Sequence, residues 1–333
     1  MNNRVDAKTT PTKNLIWLLL DDRAGNRSQC LGVADALGLP YQIRELTYGL
    51  RGKLPNMLLG ASFAGLTSEN ASLLTPPWPD LVIAAGRRTA SVARQIKHLS
   101  DGKTRIVQVM WPGGRGSDAF DLIAVPNHDN ETPRANTIQI TGAPHGITPE
   151  FLGSEKARGL ASIAHLPEPR IALIVGGSTK NRIFTPGMGV KLGTMASNLA
   201  QSANGSLLVT TSRRTGDAAD ALIKSISAPA QIHRWGDHGE NPYTTYLASA
   251  DAIIVTGDSM SMCSEACSGT GPVYIYAPDP LITPKHKRLH EELIGLGYAR
   301  RFDGTFEAWQ HKPLNAANDV AAAIHKLFQA GVT

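Results

Sequence analysis

Apolar segments of strand length alternate with segments of helical periodicity along the first half of the chain. The strands are continuous apolar runs rather than alternating ones, which is typical of a parallel sheet covered by helices on both faces. Helices are predicted at 29–37 and 89–99. Strands are predicted at 14–20, 41–47, 81–85, 106–110, 122–125 and 137–140.

The same alternation restarts at residue 171. A charged, proline-punctuated stretch at 151–170 comes before it and is predicted to be a linker. Since 333 residues suffice for two domains of ordinary size, we expect an α/β protein of two Rossmann-like domains with a ligand cleft between them. The predicted boundaries are 14–150 and 171–310, followed by a C-terminal helical segment at 311–333.

Composition narrows the functional classes. Hydrophobic residues make up 42% and charged residues 18%, as in ordinary folded proteins. The net charge of +5 is scattered, which fits phosphate-bearing ligands or an anionic membrane surface, so no nucleic-acid partner is expected. Three cysteines exclude a disulfide framework, and Cys263 and Cys267 lack the further ligands of a zinc site. The first fourteen residues have no apolar core of a signal peptide, which favours a cytoplasmic protein.

The segment 235–276 carries the strongest functional signal. Its strand at 252–255 ends in the turn Thr-Gly-Asp-Ser, and the helix that follows contains Glu265. A strand that passes through such a turn into a helix presents backbone N–H groups to an anion. Glu265 stands two turns further along, where it would bind the hydroxyls of a ribose. The pattern predicts a nucleotide-sugar site that includes Asp258 and Ser259, although a simple helix cap and a solvated acid remain the alternative.

Two other predicted strands end in residues suited to phosphate. After the strand at 171–175, two glycines permit close backbone approach and polar residues add donors and charge. After the strand at 207–211, a pair of arginines is suited to a phosphate or carboxylate. Each loop is also typical of an ordinary turn or helix cap, so the stronger argument is that three such loops lie at the carboxyl edge of one sheet. The residues are Gly176, Gly177, Ser178, Lys180, Arg213 and Arg214.

The first half supplies candidate proton acceptors. Asp21 and Asp22 follow the first strand, but neighbouring carboxylates there point apart and no third ligand is spaced for Mg²⁺, so no metal site is expected. Asp22 is the preferred base and His145 the second choice, with a capping or structural role as the alternative for each. The apolar stretch 48–66 has helical length; burial against the sheet is favoured over a membrane-surface or partner-binding helix.

Residues 241–276, NPYTTYLASADAIIVTGDSMSMCSEACSGTGPVYIY, resemble the signature of the mitochondrial-fission ELM (elongated mitochondria) family and share the pattern of GT-B glycosyltransferases. The segments DDRAGNRSQCLGVADALG, GAPHGITPE and TTSRRT resemble parts of the same family in the same order. Without an evident transit peptide, the chain resembles a bacterial member. The resemblance implies a GT-B-like fold whose second domain holds a nucleotide donor, with Glu265 on the ribose and Ser259 and Met260 near the phosphates.

The expected activity is metal-independent transfer from a nucleoside-diphosphate sugar, as co-substrate rather than cofactor, to a cell-envelope acceptor. That acceptor is expected at the membrane surface or linked to lipid, with the protein peripheral at the inner membrane. Two alternatives stay open. One is a nucleotide-sugar epimerase in which Asp22 and His145 flank the sugar. The other is a non-catalytic adaptor that recruits a partner through residues 51–66.

Overall fold

The computed structural model describes residues 14–330 and divides the chain into two units. The first comprises the chain up to Gly146 together with the residues from Ala316 onward, and the second is Ile147–Asn315. Residues 1–13, for which no targeting signal is predicted, and residues 331–333 of the predicted segment 311–333 lie outside the described residues. None of the helices between residues 14 and 330 is long and apolar enough to cross a membrane.

The first unit is built on a six-stranded sheet in which neighbouring strands are parallel, in the order β2-β1-β3-β4-β5-β6. Labels follow chain order. The strands are β1 (Ile16–Leu20), β2 (Gln42–Glu45), β3 (Leu81–Ala85), β4 (Arg105–Val109), β5 (Leu122–Pro126) and β6 (Thr137–Ile140). The helices are α1 (Ala24–Leu37), α2 (Asn56–Leu59), α3 (Ser68–Ser72), α4 (Arg87–Leu99) and α11 (Ala316–Ala330).

β1 shows why the strands are apolar without alternation. Leu18 belongs to the core formed with α1 and α11, whereas Trp17 and Leu19 belong to the core on the other face of the sheet. Because successive side chains of a strand point to opposite faces, a sheet with a core on each side requires an unbroken apolar run.

The second unit contains a second six-stranded sheet of parallel neighbours, in the order β12-β11-β10-β7-β8-β9. Its strands are β7 (Arg170–Val175), β8 (Ser206–Thr211), β9 (Ala230–His233), β10 (Ala252–Thr256), β11 (Val273–Tyr276) and β12 (Arg300–Arg301). Its helices are α5 (Pro149–Ile163), α6 (Pro186–Ser202), α7 (Ala218–Lys224), α8 (Tyr243–Ser249), α9 (Met260–Ala266) and α10 (Pro284–Gly295). The predicted fold class, α/β with two Rossmann-like units, is confirmed.

The stretch predicted as a linker is mostly helical. α5 covers residues 149–163 and is capped by Thr148, whose hydroxyl accepts the N–H of Phe151 at 3.2 Å. Proline at the first helical position favours this start. α5 packs closely on α8, since a Cβ at Gly159 would lie 2.0 Å from a methyl carbon of Thr245. α5 is therefore part of the second unit rather than a connection between domains.

The C-terminal helix α11 belongs to the first unit. Ala317, Val320 and Ile324 are fully buried in the core that also contains residues of α1. The predicted segment 311–333 is thus divided between the units, because its residues before Ala316 belong to the second.

The apolar stretch 48–66 is not one helix. It forms a 3₁₀ turn at Leu50–Lys53 and the single-turn α2, which ends at Gly60 with φ +60°. Leu59 is buried, but Leu50, Met57 and Leu58 are 88, 61 and 66% exposed. Burial of the whole stretch against the sheet, expected from its composition, therefore does not occur.

Candidate functional site

The second sheet changes its direction of growth between β7 and β10. From β7 the strands continue through β8 to β9 on one side, and from β10 they continue through β11 to β12 on the other. The loops at the carboxyl ends of β7 and β10 therefore diverge, and open α/β sheets bind ligands at this point. The three loops predicted to form a site follow β7, β8 and β10, which are adjacent strands.

Asp258, in the loop after β10, forms hydrogen bonds with residues of the other two loops. Its buried carboxylate accepts the N–H of Gly177 at 2.9 Å and the guanidinium of Arg214 at 2.6 Å, both through Oδ2. The other oxygen, Oδ1, has no hydrogen-bond partner among residues 14–330. A buried carboxylate oxygen is costly without a donor, so Oδ1 retains the capacity to accept a hydrogen bond.

The loop after β7 is held by its own backbone donors. The N–H of Gly176 donates to the Thr256 hydroxyl at 2.7 Å, and the N–H of Ser178 donates to the Arg214 carbonyl at 2.8 Å. Together with Gly177, these groups are committed to protein acceptors. These three N–H groups therefore stabilise the junction around Asp258, and the same loop carries the exposed cation Lys180.

The two arginines after β8 have different environments. Ser212 caps the 3₁₀ turn Arg213–Thr215 by accepting the N–H of Arg214 at 3.1 Å. Arg214 turns its guanidinium toward Asp258, whereas the Arg213 side chain is exposed. Arg214 therefore maintains the loop junction, and Arg213 is the cation available to an external anion.

Glu265 has a polar partner from another helix. α9 begins at Met260, and the Ser259 hydroxyl caps it by accepting the N–H of Met262 at 3.4 Å. The Tyr243 hydroxyl, on α8, donates to Glu265 Oε2 at 2.5 Å. Burial and the negative charge of Glu265 raise the pKa of Tyr243 well above its ordinary value, so Tyr243 remains a donor at neutral pH and orients the carboxylate.

The structure adds three residues that sequence reasoning missed. Tyr243 is one. His286, buried in the first turn of α10, forms a capping box with Thr283; burial lowers its pKa, although the nearby charge of Asp258 opposes that shift. Trp235 follows β9 with 56% of its surface exposed, and its backbone N–H donates to the Thr211 hydroxyl at 2.9 Å. Only the Thr-Pro-x-His cap signal would have marked His286 in the sequence.

A second carboxylate–arginine cluster lies at the corresponding point of the first sheet, between β1 and β3. Asp21 is buried and accepts hydrogen bonds from Arg88 at 3.0 Å and from Asn26 at 3.1 Å. Asp22 also pairs with Arg88, but its side chain is 76% exposed. The hydrogen bond from Arg88 lowers the pKa of Asp22, which keeps this carboxylate ionised and makes it a weaker proton acceptor.

His145 lies in the interior of the first unit. Only 1% of its surface is exposed, and its backbone packs directly on α1, where a Cβ at Gly32 would lie 2.4 Å from the His145 carbonyl carbon. A general base must come within hydrogen-bond reach of its substrate. This placement therefore favours the structural role for His145 and leaves Asp22 as the exposed candidate.

His290 supports the loop that precedes Asp258, and it makes stability depend on pH. Its Nε2 lies 2.9 Å from the Gly257 carbonyl, and burial lowers its pKa from 6.5 to about 4. As pH falls, His290 is protonated at a higher pH in the unfolded chain than in the folded one. The contribution of its neutral form to the free energy of unfolding is therefore fully present above pH 6.5 and is lost as pH falls toward 4. The full effect is on the order of 3 kcal/mol.

We expect the urea-unfolding free energy of the wild type to fall more steeply between pH 7 and pH 4.5 than that of His290→Gln. The glutamine keeps a donor of similar reach but does not titrate. Since His286 is present in both proteins, the difference isolates His290. Equal pH dependence in the two proteins would contradict the assignment.

A sequence model of the family described as Mitochondrial fission ELM1 matches residues 24–328. A protein of Rickettsia prowazekii (strain Madrid E), described as uncharacterized protein RP120, is 31% identical over 349 residues, spanning 93% of this chain and 97% of its own length. Mitochondrial fission protein ELM1 of Arabidopsis thaliana is 27% identical over 298 residues, spanning 81% of this chain and 68% of its own length.

Solved structures show the same fold at low identity. UDP-GlcNAc 2-epimerase from Methanocaldococcus jannaschii has a TM-score of 0.55 and 11% identity, covering 95% of this chain and 99% of its own. The Neisseria meningitidis UDP-GlcNAc 2-epimerase bound to UDP-GlcNAc has a TM-score of 0.51 and 13% identity, covering 95% and 100%. At this identity the likeness establishes a GT-B-like architecture and nothing about activity.

Proposed function

This chain belongs to the mitochondrial fission ELM1 family, and we propose that its second unit binds a nucleoside-diphosphate sugar. We further propose that the protein is a metal-independent glycosyltransferase. The observation that carries the proposal is the Tyr243–Glu265 pair, in which α9, the helix that starts directly after the Asp258 loop, supplies an oriented carboxylate. An oriented carboxylate accepts the paired hydroxyls of a ribose, and charged acceptors make the stronger hydrogen bonds.

The base, the ribose and the diphosphate of the donor are each proposed to contact a different kind of side chain. The exposed Trp235 ring offers a stacking face for a base, and Glu265 receives the ribose. Side chains exposed at the same sheet edge, Lys180 and Arg213, attract the diphosphate. The remaining predicted contacts, from the Ser178 and Ser259 hydroxyls and the backbone of Met260, supply neutral donors.

Transfer requires that charge on the departing nucleoside diphosphate be stabilised. In this proposal Arg213 and Lys180 supply that stabilisation, because negative charge on the diphosphate increases as its bond to the sugar breaks and nearby cations stabilise that charge. Asp22 is proposed as the general base that takes the proton from the hydroxyl to which the sugar is transferred. Its side chain is 76% exposed, so it can come within hydrogen-bond reach of that hydroxyl, although the hydrogen bond from Arg88 lowers its pKa and therefore its basicity.

The acceptor is proposed to be carried by an anionic membrane, at whose cytosolic surface the protein is peripheral. In the first unit, Leu50, Met57 and Leu58 are exposed beside the exposed cations Arg51 and Lys53. Apolar residues interleaved with cations are suited to a lipid surface with negative head groups.

We expect the wild type to sediment with vesicles containing phosphatidylglycerol and not with neutral phosphatidylcholine vesicles. Replacing Leu50 and Leu58 together with serine should reduce the bound fraction several-fold, because both side chains are exposed and would leave water on binding. Leu296→Ser, at an exposed leucine of the second unit, is the matched control. Equal binding of the double variant and the control would refute the lipid assignment.

The activity is tested by incubation with UDP-GlcNAc and an envelope lipid extract. UDP-GlcNAc is the first donor to try because two structurally similar proteins are named as UDP-GlcNAc 2-epimerases. Transferase activity releases UDP and moves the sugar into the lipid fraction. A 2-epimer formed without any acceptor would establish the epimerase alternative. Absence of both turnover and nucleotide binding across a panel of donors would favour the adaptor.

A further inference from the structure

A cavity of about 270 Å³ opens in the second unit at the carboxyl end of β11. It is bounded by α6, α10 and β12, and none of its lining residues belongs to the loops after β7, β8 or β10. Much of its wall is apolar, from Met195, Ile282, Ile294 and Phe302. It is therefore separate from the proposed nucleotide contacts.

The charges that line this cavity are unbalanced. Three cations line it, one from each bounding element: Lys191 on α6, Lys287 on α10 and Arg301 on β12. Asp279 is the carboxylate among the lining residues. Glu291, which lies 3.9 Å from Lys287, offsets part of that cation's charge. His290, which also lines the cavity, is neutral at pH 7 because burial lowers its pKa to about 4. The lining is thus positive around an apolar wall.

We propose that this cavity binds a small amphipathic anion, with an apolar body against Met195, Ile294 and Phe302 and a carboxylate or phosphate held by Lys191 and Arg301. The cavity volume lies just below the usual range for ligand pockets, which favours a medium-chain acyl or alkyl group over a nucleotide. Free phosphate lacks the apolar body that the wall is suited to bury.

His290 connects the cavity to the candidate active site. His290 lines the cavity and bonds the Gly257 carbonyl, one residue before Asp258. A Cβ at Gly257 would lie 2.5 Å from the His290 ring, so the two are in close contact. An occupant that touches His290 therefore touches a support of the loop that carries Asp258.

The test is calorimetric titration of the full chain with octanoate and octyl phosphate. Octanol, which has the apolar body without charge, and inorganic phosphate, which has the charge without the body, are the ligand controls. At least one of the two amphipathic anions should bind at least tenfold more tightly than either control. Which of them binds more tightly identifies the head group.

The variants place the site. Lys191→Ala combined with Arg301→Ala should weaken binding at least tenfold, whereas Lys224→Ala, at a cation of α7 outside the cavity, should not. All three cations are exposed, so these substitutions are expected to leave the fold intact. Ile294→Trp provides an independent block by filling the cavity. Glu265→Ala should leave octanoate affinity unchanged, which separates this proposal from the nucleotide site.

Two outcomes would overturn the proposal of an amphipathic-anion site. One is binding of both anions no tighter than that of octanol, and the other is binding that neither the double variant nor Ile294→Trp weakens.

Discussion

Gly177→Ala is expected to lower the free energy of unfolding by about 3–5 kcal/mol. Gly177 has a φ of +137°, which L side chains rarely adopt, and its Cβ would lie 2.2 Å from the carbonyl oxygen of Arg214. That neighbour is backbone, and it also accepts the N–H of Ser178. Relief of the overlap would therefore separate the loops after β7 and β8 and break the contact with Asp258.

Urea unfolding followed by circular dichroism measures the loss. The matched control is Gly187→Ala in the first turn of α6, where the nearest atom to the added methyl is the Thr185 hydroxyl at 3.9 Å. That change should be neutral or stabilise the protein by up to about 1 kcal/mol. If both variants were as stable as the wild type, the junction around Asp258 would not have the close packing described above.

Glu265→Ala is expected to weaken nucleoside-diphosphate binding about 10- to 100-fold. Hydrogen bonds to a charged group contribute about 1.5–3 kcal/mol, and each 1.4 kcal/mol is a factor of ten in affinity. Tyr243→Phe should have a smaller effect, because it removes the group that orients the carboxylate but leaves the carboxylate itself. Calorimetric titration gives the dissociation constants.

Glu291→Ala is the control for that series. It removes an exposed acid of α10 in the same unit and should leave the affinity unchanged. A nucleotide that bound equally to the wild type, Glu265→Ala and Glu291→Ala would place the donor away from Glu265.

Much of the fold was predictable because its strands are buried on both faces. A run such as 81–85 is apolar without interruption, and the structure forms β3 over those residues. The prediction was wrong for α5 and for the stretch 48–66, where local helix-starting and helix-breaking residues mattered more than the overall composition. The Thr148-Pro149 start of α5 was outweighed by the prolines near residue 168, and the stretch 48–66 contains Pro55 and Gly60, which prevent one continuous helix.

The position of the candidate site was predictable to the level of loops, but its side-chain pairs were not. The ends of predicted strands locate the carboxyl edge of a parallel sheet, so the loops after β7, β8 and β10 could be predicted to form a site from the sequence. Asp258 and Arg214 are 44 residues apart, and Tyr243 and Glu265 are 22 apart. Such pairs depend on how helices and loops pack, which periodicity does not encode.

The domain boundaries were less predictable for a related reason. Ala316 begins a helix whose apolar residues could be buried on any core, and sequence order places it after the second unit. The structure buries it in the first. Chain order does not specify which hydrophobic face a terminal helix covers.

The most direct test of the nucleotide-sugar proposal is a thermal-unfolding panel of the wild type with UDP, GDP, ADP, CMP and their sugar conjugates, repeated with Glu265→Ala. A ligand at a hundred times its dissociation constant stabilises the folded state by about 2.7 kcal/mol. The proposal predicts that one nucleotide and its sugar conjugate raise the unfolding temperature of the wild type and do so much less for Glu265→Ala at the same concentration. An unfolding temperature that no nucleotide changes would contradict it and leave the adaptor as the function to pursue.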